Sequence, residues 1–364
     1  MPAARAGAID GSCRHPVARA DDAGADNDAT EGEAPMTSAL ASRHGRTALR
    51  GLALAATALV ALAAGRAALA EDLKPVKVTF IQHCCSGATF FQPMQFGAEE
   101  AARLFHVTLT YVNADGDAAR HANLIETAIA DKQDAVIPTI TVPDALDAAV
   151  KKARDAGLVV IAENIDDPEG GKGNAREAFV GQDFIVSGHM IGARMIAEHH
   201  LKEGDHCLLP VEFPELTYAV RRAAGVQSAL KEKNITSEVI GTGTVDAEAL
   251  NTISQAILAN PKITCVIGLG TTPTTVAPAA AEEAGRPGIP NGGFDTNPKI
   301  MENIMAGKTT ATMDQQPFWQ GFLPVMFAAY EVRYGLRPAD FDTGNNLIDK
   351  NNGSLALKYG GTYR

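Results

Sequence analysis

Residues 76–105 read VKVTFIQHCCSGATFFQPMQFGAEEAARLF, and the way this stretch opens sets the fold class. From Val76 to Gln82 it is apolar almost continuously instead of at every second position, as in a strand covered on both faces within a parallel sheet. A polar loop containing Gly87 follows. Gln92-Pro93 then starts a helix expected over 92–105, because a proline in the first turn forfeits no helical hydrogen bond.

The same strand, loop and helix recur outward from this unit. Strands are expected at 107–112, 135–139, 158–162 and 178–181, with helices at 118–130 and 143–156. A helix at 184–201 restarts the rhythm. Strands follow at 206–211, 237–241, 264–268, 289–294 and 309–314, separated by helices at 217–231, 247–258, 273–284 and 298–305, and a long helix at 317–334 comes last. Strands alternating with helices mean an α/β protein built on doubly wound parallel sheets.

Such sheets bind ligands where the loops gather, beyond the carboxyl ends of their strands. The expected loops there are His83 to Phe91, Pro138 to Thr141, Glu163 to Asp167 and Gly181 to Asp183. Further along they are Glu212 to Tyr218, Gly268 to Thr275, Phe294 to Thr296 and Asp314 to Gln316. They supply amides, carboxylates, hydroxyls and a few aromatic faces. That mixture suits a neutral polyhydroxyl ligand: polar groups exchange hydrogen bonds with hydroxyls, and a ring covers the C–H face of a sugar. Asp, Asn and Gly at strand ends also serve as turn formers. Gly181, Gly270 and Gly293 read as structural.

The 364 residues fit two lobes of about 130–150 residues plus removable sequence. Residues 1–35 have no apolar periodicity and read as a disordered or mis-called extension, with translation starting at Met36. Residues 36–70 have the layout of a signal peptide. Arg43, Arg46 and Arg50 form its basic region, Leu52 to Ala64 its apolar run, and Ala68-Leu69-Ala70 its cleavage site. The apolar run is too short to span a bilayer. Residues 1–70 hold as many Arg as acidic residues, so the net charge of −11 belongs to the rest. An acidic domain without a basic patch excludes nucleic acid as the expected partner. Cys84, Cys85, Cys207 and Cys265 follow no zinc-ligand spacing. Cys207 and Cys265 each begin a strand of the second half; buried free thiols are the favoured reading and a disulfide the other.

Enzymatic readings find little support. No Gly-x-Gly-x-x-Gly follows an early strand, and Gly170-Gly171-Lys172-Gly173 does not lead from a strand into a helix. His83 and Cys84, adjacent on a strand, point to opposite faces and make a poor base–nucleophile pair. His199-His200 reads as the exposed end of a helix, with no metal expected. Phe318 and Trp319 fit either the cleft or helix packing.

Taken together, the part beyond residue 70 resembles the ribose-type periplasmic binding proteins of sugar ABC transporters (bacterial solute-binding protein family 2, the type I periplasmic binding fold). Several local motifs carry the resemblance: Thr89-Phe90-Phe91 before a helix, Thr139 after the third strand, Asn164 after the fourth, and Gln182-Asp183 at the first crossing. The others are Arg222 with Gly225, Phe294-Asp295, Gln315 at the second crossing and Thr343-Gly344-Asn345 at the third. The resemblance implies two similar lobes joined by three crossing segments, residues 71–182 plus 316–343 and residues 183–315 plus 344–364. It implies ligand contacts from Phe90, Phe91, Thr139, Asn164, Asp183, Arg222, Asp295 and Gln315, with neither cofactor nor metal. One of the two Phe is expected under the helix and the other in the cleft. Ile165, Gly270-Thr271 and Gly87-Ala88 stand where the family often has polar groups, so the site carries fewer charged groups than a ribose site. The implied function is periplasmic capture, by a monomer, of a neutral sugar or polyol for an ABC permease. Presentation of a related solute to a membrane receptor is the alternative, and an exported α/β enzyme is the weaker one.

Overall fold

The computed structural model describes residues 73–84, 87 and 90–364. The expected extension and signal peptide lie outside the described residues, as do Cys85, Ser86, Ala88 and Thr89.

The described residues form two six-stranded sheets. The first half runs β1 (Val76–Gln82), α1 (Phe91–Leu104), β2 (Val107–Asn113), α2 (Ala118–Ala130), β3 (Ala135–Pro138), α3 (Pro143–Asp155), β4 (Val159–Asn164) and β5 (Ala178–Gly181). The second half runs α4 (Phe184–His199), β6 (His206–Val211), α5 (Thr217–Lys231), β7 (Thr236–Gly241), α6 (Asp246–Ala259), β8 (Ile263–Gly268), α7 (Thr271–Glu283), β9 (Asn291–Phe294), α8 (Pro298–Met305) and β10 (Thr312–Asp314). Then come α9 (Pro317–Tyr334), β11 (Phe341–Asp342), β12 (Asn346–Ile348) and α10 (Gly353–Lys358).

The strand orders are β11-β5-β4-β3-β1-β2 and β12-β10-β9-β8-β6-β7, the same path twice. Among the described residues every strand pair is parallel except β10 with β12. The chain leaves the first sheet after β5, returns after β10 to lay α9 on it, and crosses again between Asp342 and Asn346.

Burial on both faces explains the continuous apolar strands. In the first sheet Phe80, Ile137 and Ile161 join the core with α1 and α9. Their neighbours Ile81, Val136 and Val160 point the other way, to α2 and α3. The second sheet repeats this, with Leu209 and Ile267 towards α4 and α5 and Leu208 and Val266 towards α6 and α7. Each such side chain contributes roughly 1.5–3 kcal/mol when fully buried.

Close helix contacts repeat as well. A Cβ on Gly97 of α1 would strike the Phe318 carbonyl, and one on Gly321 of α9 the Met94 carbonyl. In the second half a Cβ on Gly225 of α5 would strike the Ile185 carbonyl, and one on Gly188 of α4 the Arg222 carbonyl. Gly225, singled out in the sequence beside Arg222, therefore answers to helix packing.

Several expectations shift. The helix expected to reach 201 ends at His199, because His200 turns left-handed (φ 53°) and returns its N–H to Ile196. The strand expected from 289 begins at Asn291, after Pro290, which has no N–H to give a ladder. β11, β12 and α10, of two, three and six residues, are too short to leave an apolar pattern. Cys207 and Cys265, favoured as free thiols, form a disulfide: they are register partners on the adjacent strands β6 and β8, with Cα atoms 4.6 Å apart. Sequence gave no strand order, so this adjacency was hidden. Cys84 is disulfide-bonded too. Phe318 packs against Phe96, Phe322 and Tyr363 between helices, with Trp319 half-exposed beside it. Among the described residues no helix is long and apolar enough to cross a membrane.

Candidate functional site

The polar side chains singled out in the sequence collect at the carboxyl ends of both sheets. Asp295 directly follows β9 and is buried, with left-handed backbone (φ 69°). Thr271 Oγ1 donates to its Oδ2 at 2.8 Å and Gln315 Nε2 to its Oδ1 at 2.6 Å. Arg222, in the second turn of α5, approaches the same Oδ1 at 3.5 Å. Its guanidinium donates to the Leu269 carbonyl at 2.8 Å and to Gln182 Oε1 at 3.0 Å. Three rings surround it, Phe294 at 4.3 Å, Phe184 at 5.0 Å and Tyr218 at 5.4 Å. A buried guanidinium persists only when paired and hydrogen-bonded, and these contacts supply both. Arg222 Nε and Gln315 Oε1 are buried without a protein partner among the described residues, one a donor and one an acceptor.

Glu212, beyond β6, borders this group. It accepts from the Thr272 N–H at 2.9 Å and from the Tyr218 hydroxyl at 3.0 Å. Burial holds its carboxyl above the usual range, opposed by its backbone hydrogen bonds and reinforced by Asp295. Gly270 lies flush against it, and a Cβ there would overlap the carboxylate.

On the first sheet Thr139 is fully buried and donates its hydroxyl to Glu163 Oε1. Burial pushes the Glu163 carboxyl up to about 8, against the lowering effect of that hydrogen bond. At neutral pH it is therefore mostly protonated, and its Oε2 has no partner among the described residues. Asn164, next to it, has φ 61° and donates Nδ2 to Gln320 Oε1 at 2.9 Å. Phe91, the first residue of α1, is buried in the core, while Phe90 just before it is half-buried, their rings edge-to-face at 5.0 Å.

Arg222 and Gln315 thus both meet at Asp295, and Thr139 and Asn164 share neighbouring loops tied by the Ile140 N–H to the Ile165 carbonyl at 2.8 Å. Asp183 stands apart. Its carboxylate is exposed and caps α4, accepting from the N–H groups of Ile185 and Val186 at 3.0 and 3.1 Å. Sequence reasoning placed Glu163, Glu212 and Thr271 in candidate loops without naming them as contacts, and it passed over Gln320. A carboxylate closing the apolar run LVVIAE was a usable signal for Glu163. Gln320 had none, since an amide in a helix gives no sign of which face it joins.

The assembled groups are donors and acceptors of both kinds beside aromatic surface. Among the described residues no cluster of His, Cys, Asp and Glu is arranged to hold a metal ion.

Residues 78–335 match the family model described as periplasmic binding protein domain. The chain is 27% identical over 304 residues to the xylose/arabinose-binding protein XylF of Sulfolobus acidocaldarius, covering 79% of this chain and 75% of that one. It is 27% identical over 262 residues to the D-ribose/D-allose-binding protein of Pseudomonas aeruginosa, covering 69% and 77%. A carbohydrate transporter from Acidothermus cellulolyticus, solved with myo-inositol, superposes with a TM-score of 0.71 at 29% identity, over 79% of this chain and 99% of that one.

Proposed function

This chain belongs to the periplasmic binding protein domain family, and we propose that it captures a small neutral polyhydroxyl solute, a sugar or cyclic polyol, for an ABC importer. The observation that carries this reading is the buried group of Arg222, Asp295 and Gln315, with one donor and one acceptor left open. A hydroxyl is both donor and acceptor, so one ligand hydroxyl can meet each.

The lobes are residues 71–182 with 316–343 and residues 183–315 with 344–364, and they close on the ligand about the three crossings. Thr139, Asn164 and Phe90 contribute from the first lobe, Arg222 and Asp295 from the second, and Gln315 from between them. Phe91 serves as the packing floor for Phe90, and Asp183 as a helix cap. The closed form is what a membrane permease distinguishes from the open one. Capture involves no covalent step. The exported protein starts near Glu71 and acts as a monomer in the periplasm. Relatives that bind xylose, arabinose, ribose and allose, and one solved with myo-inositol, support the ligand class.

Thermal shift measurements against D-xylose, L-arabinose, D-ribose, D-allose, myo-inositol and the anion D-gluconate test the reading. A ligand at 100 times its Kd stabilises by about 2.7 kcal/mol. At least one neutral member is expected to raise Tm. Stabilisation by gluconate alone refutes the reading.

A further inference from the structure

Gln320 is fully buried on α9, and all the hydrogen-bonding it needs is met by three different parts of the chain. Its Oε1 accepts from Asn164 Nδ2 at 2.9 Å, at the end of β4. Its Nε2 donates to the Gln315 carbonyl at 3.1 Å in the second crossing and to Thr343 Oγ1 at 2.9 Å in the third. Gln315 in turn donates to Asp295 at 2.6 Å. Hydrogen bonds therefore run from Asn164 through Gln320 to the backbone of Gln315, whose own side chain bonds Asp295, so that Gln315 links the two sheets.

We propose that Gln320 is a positioning residue, which sets the orientation of Asn164 and ties it to two of the three crossings, so that lobe closure and the presentation of Asn164 to the ligand are coupled. This rests on the proposed capture of a polyhydroxyl solute. The physical argument is accounting. Asn164 holds left-handed backbone at φ 61°, a conformation that costs energy outside glycine and persists where its surroundings enforce it. Among the described residues its side-chain amide has one hydrogen bond, and that bond is to Gln320. Because both amide protons of Gln320 are spent on the crossings, the amide cannot rotate to suit Asn164 without releasing Gln315 or Thr343. Movement at the crossings is thereby felt at Asn164, and the reverse.

The test compares Gln320→Met, which keeps length and apolar bulk, with Thr343→Val, which removes only the crossing-side acceptor. The probe is whichever of D-xylose, L-arabinose, D-ribose, D-allose and myo-inositol binds the unmodified protein tightest. Losing one buried hydrogen-bond partner predicts at least roughly fivefold weaker binding in each variant. Adding Gln320→Met to Asn164→Ala is expected to weaken binding little further. Adding it to Phe90→Ala multiplies the two losses, and a general loss of packing would not separate these backgrounds. Binding within twofold of the unmodified protein, or losses that multiply with Asn164→Ala, overturns the proposal. Failure of every probe to bind the unmodified protein overturns the capture reading instead. A ligand-free arm then still decides the coupling: small-angle scattering is expected to show a changed radius of gyration in both variants, and unchanged profiles overturn it.

Discussion

Asn164 and Asp295 occupy equivalent places in the two sheets. Asn164 ends β4 and Asp295 follows β9, the third strands inward from the β11 and β12 edges. Both take left-handed backbone, at φ 61° and 69°, where a non-glycine residue is uncommon. Asn and Asp tolerate that conformation better than other side chains, which is one reason these residue types stand there. The two strand ends thus present a polar group by the same backbone device, an amide from one sheet and a carboxylate from the other.

Asp295 carries the central prediction. Asp295→Ala removes the acceptor shared by Thr271, Gln315 and Arg222, and binding of the best neutral ligand by isothermal titration is expected to fall at least a hundredfold. Folding stability drops as well, by about 1–3 kcal/mol, because buried donors lose their partner. Asp295→Asn keeps the shape and separates the two effects: binding still falls, with a smaller change in Tm. Undiminished affinity in both variants removes Asp295 from the site.

The two phenylalanines are expected to behave differently despite their adjacency. Phe91 is a core residue, and Phe91→Ala should cost about 3–5 kcal/mol in denaturant unfolding. Phe90 is half-buried against the edge of that core, and Phe90→Ala should cost less stability than Phe91→Ala while weakening ligand binding about tenfold, or ~1.4 kcal/mol. Equal effects of the two changes on affinity contradict this division.

Glu163 predicts a pH dependence with a definite sign. Its folded pKa is raised by burial to about 8 from a usual 4.5, so the folded state holds a proton that the unfolded chain has released between those values. Stability from this group is whole at acid pH and is lost as pH rises from about 4.5 to 8, by up to ~1.4 kcal/mol per pH unit. Chemical denaturation of the unmodified protein and Glu163→Gln across pH 5–9 measures it by difference. The gap between them should shift in favour of Glu163→Gln as pH rises, and a gap independent of pH refutes it.

The Cys207–Cys265 bond closes a loop with a sequence separation of 58. Chain-entropy reasoning assigns such a loop about 4 kcal/mol of stabilisation. Cys207→Ala with Cys265→Ala is expected to lower the denaturant midpoint accordingly, after allowance for two truncated core side chains. Ligand affinity should change little, since both cysteines sit at the far end of their strands from Asp295. An unchanged midpoint shows that the bond contributes nothing.

What the sequence by itself determined is everything that depends on local pattern. Val76–Gln82 and His206–Val211 are continuous apolar runs because parallel strands are buried on both faces, and that burial is written directly in their residues. Pro143, Pro298 and Pro317 mark helix starts for an equally local reason, since each lacks the N–H that a first turn leaves unused. The position of Asp295 directly after a strand followed from the same reading, while Arg222, inside α5, was marked only by the family resemblance. Pairings across the chain were decided only in three dimensions. Cys207 met Cys265 because β6 and β8 became neighbours, Asp183 was drawn to its own helix as a cap, and Gln320 found partners 156, 5 and 23 residues away. A side chain's partner is set by which faces pack together, and strand order and helix docking arise from the burial of the whole surface, which no local pattern encodes.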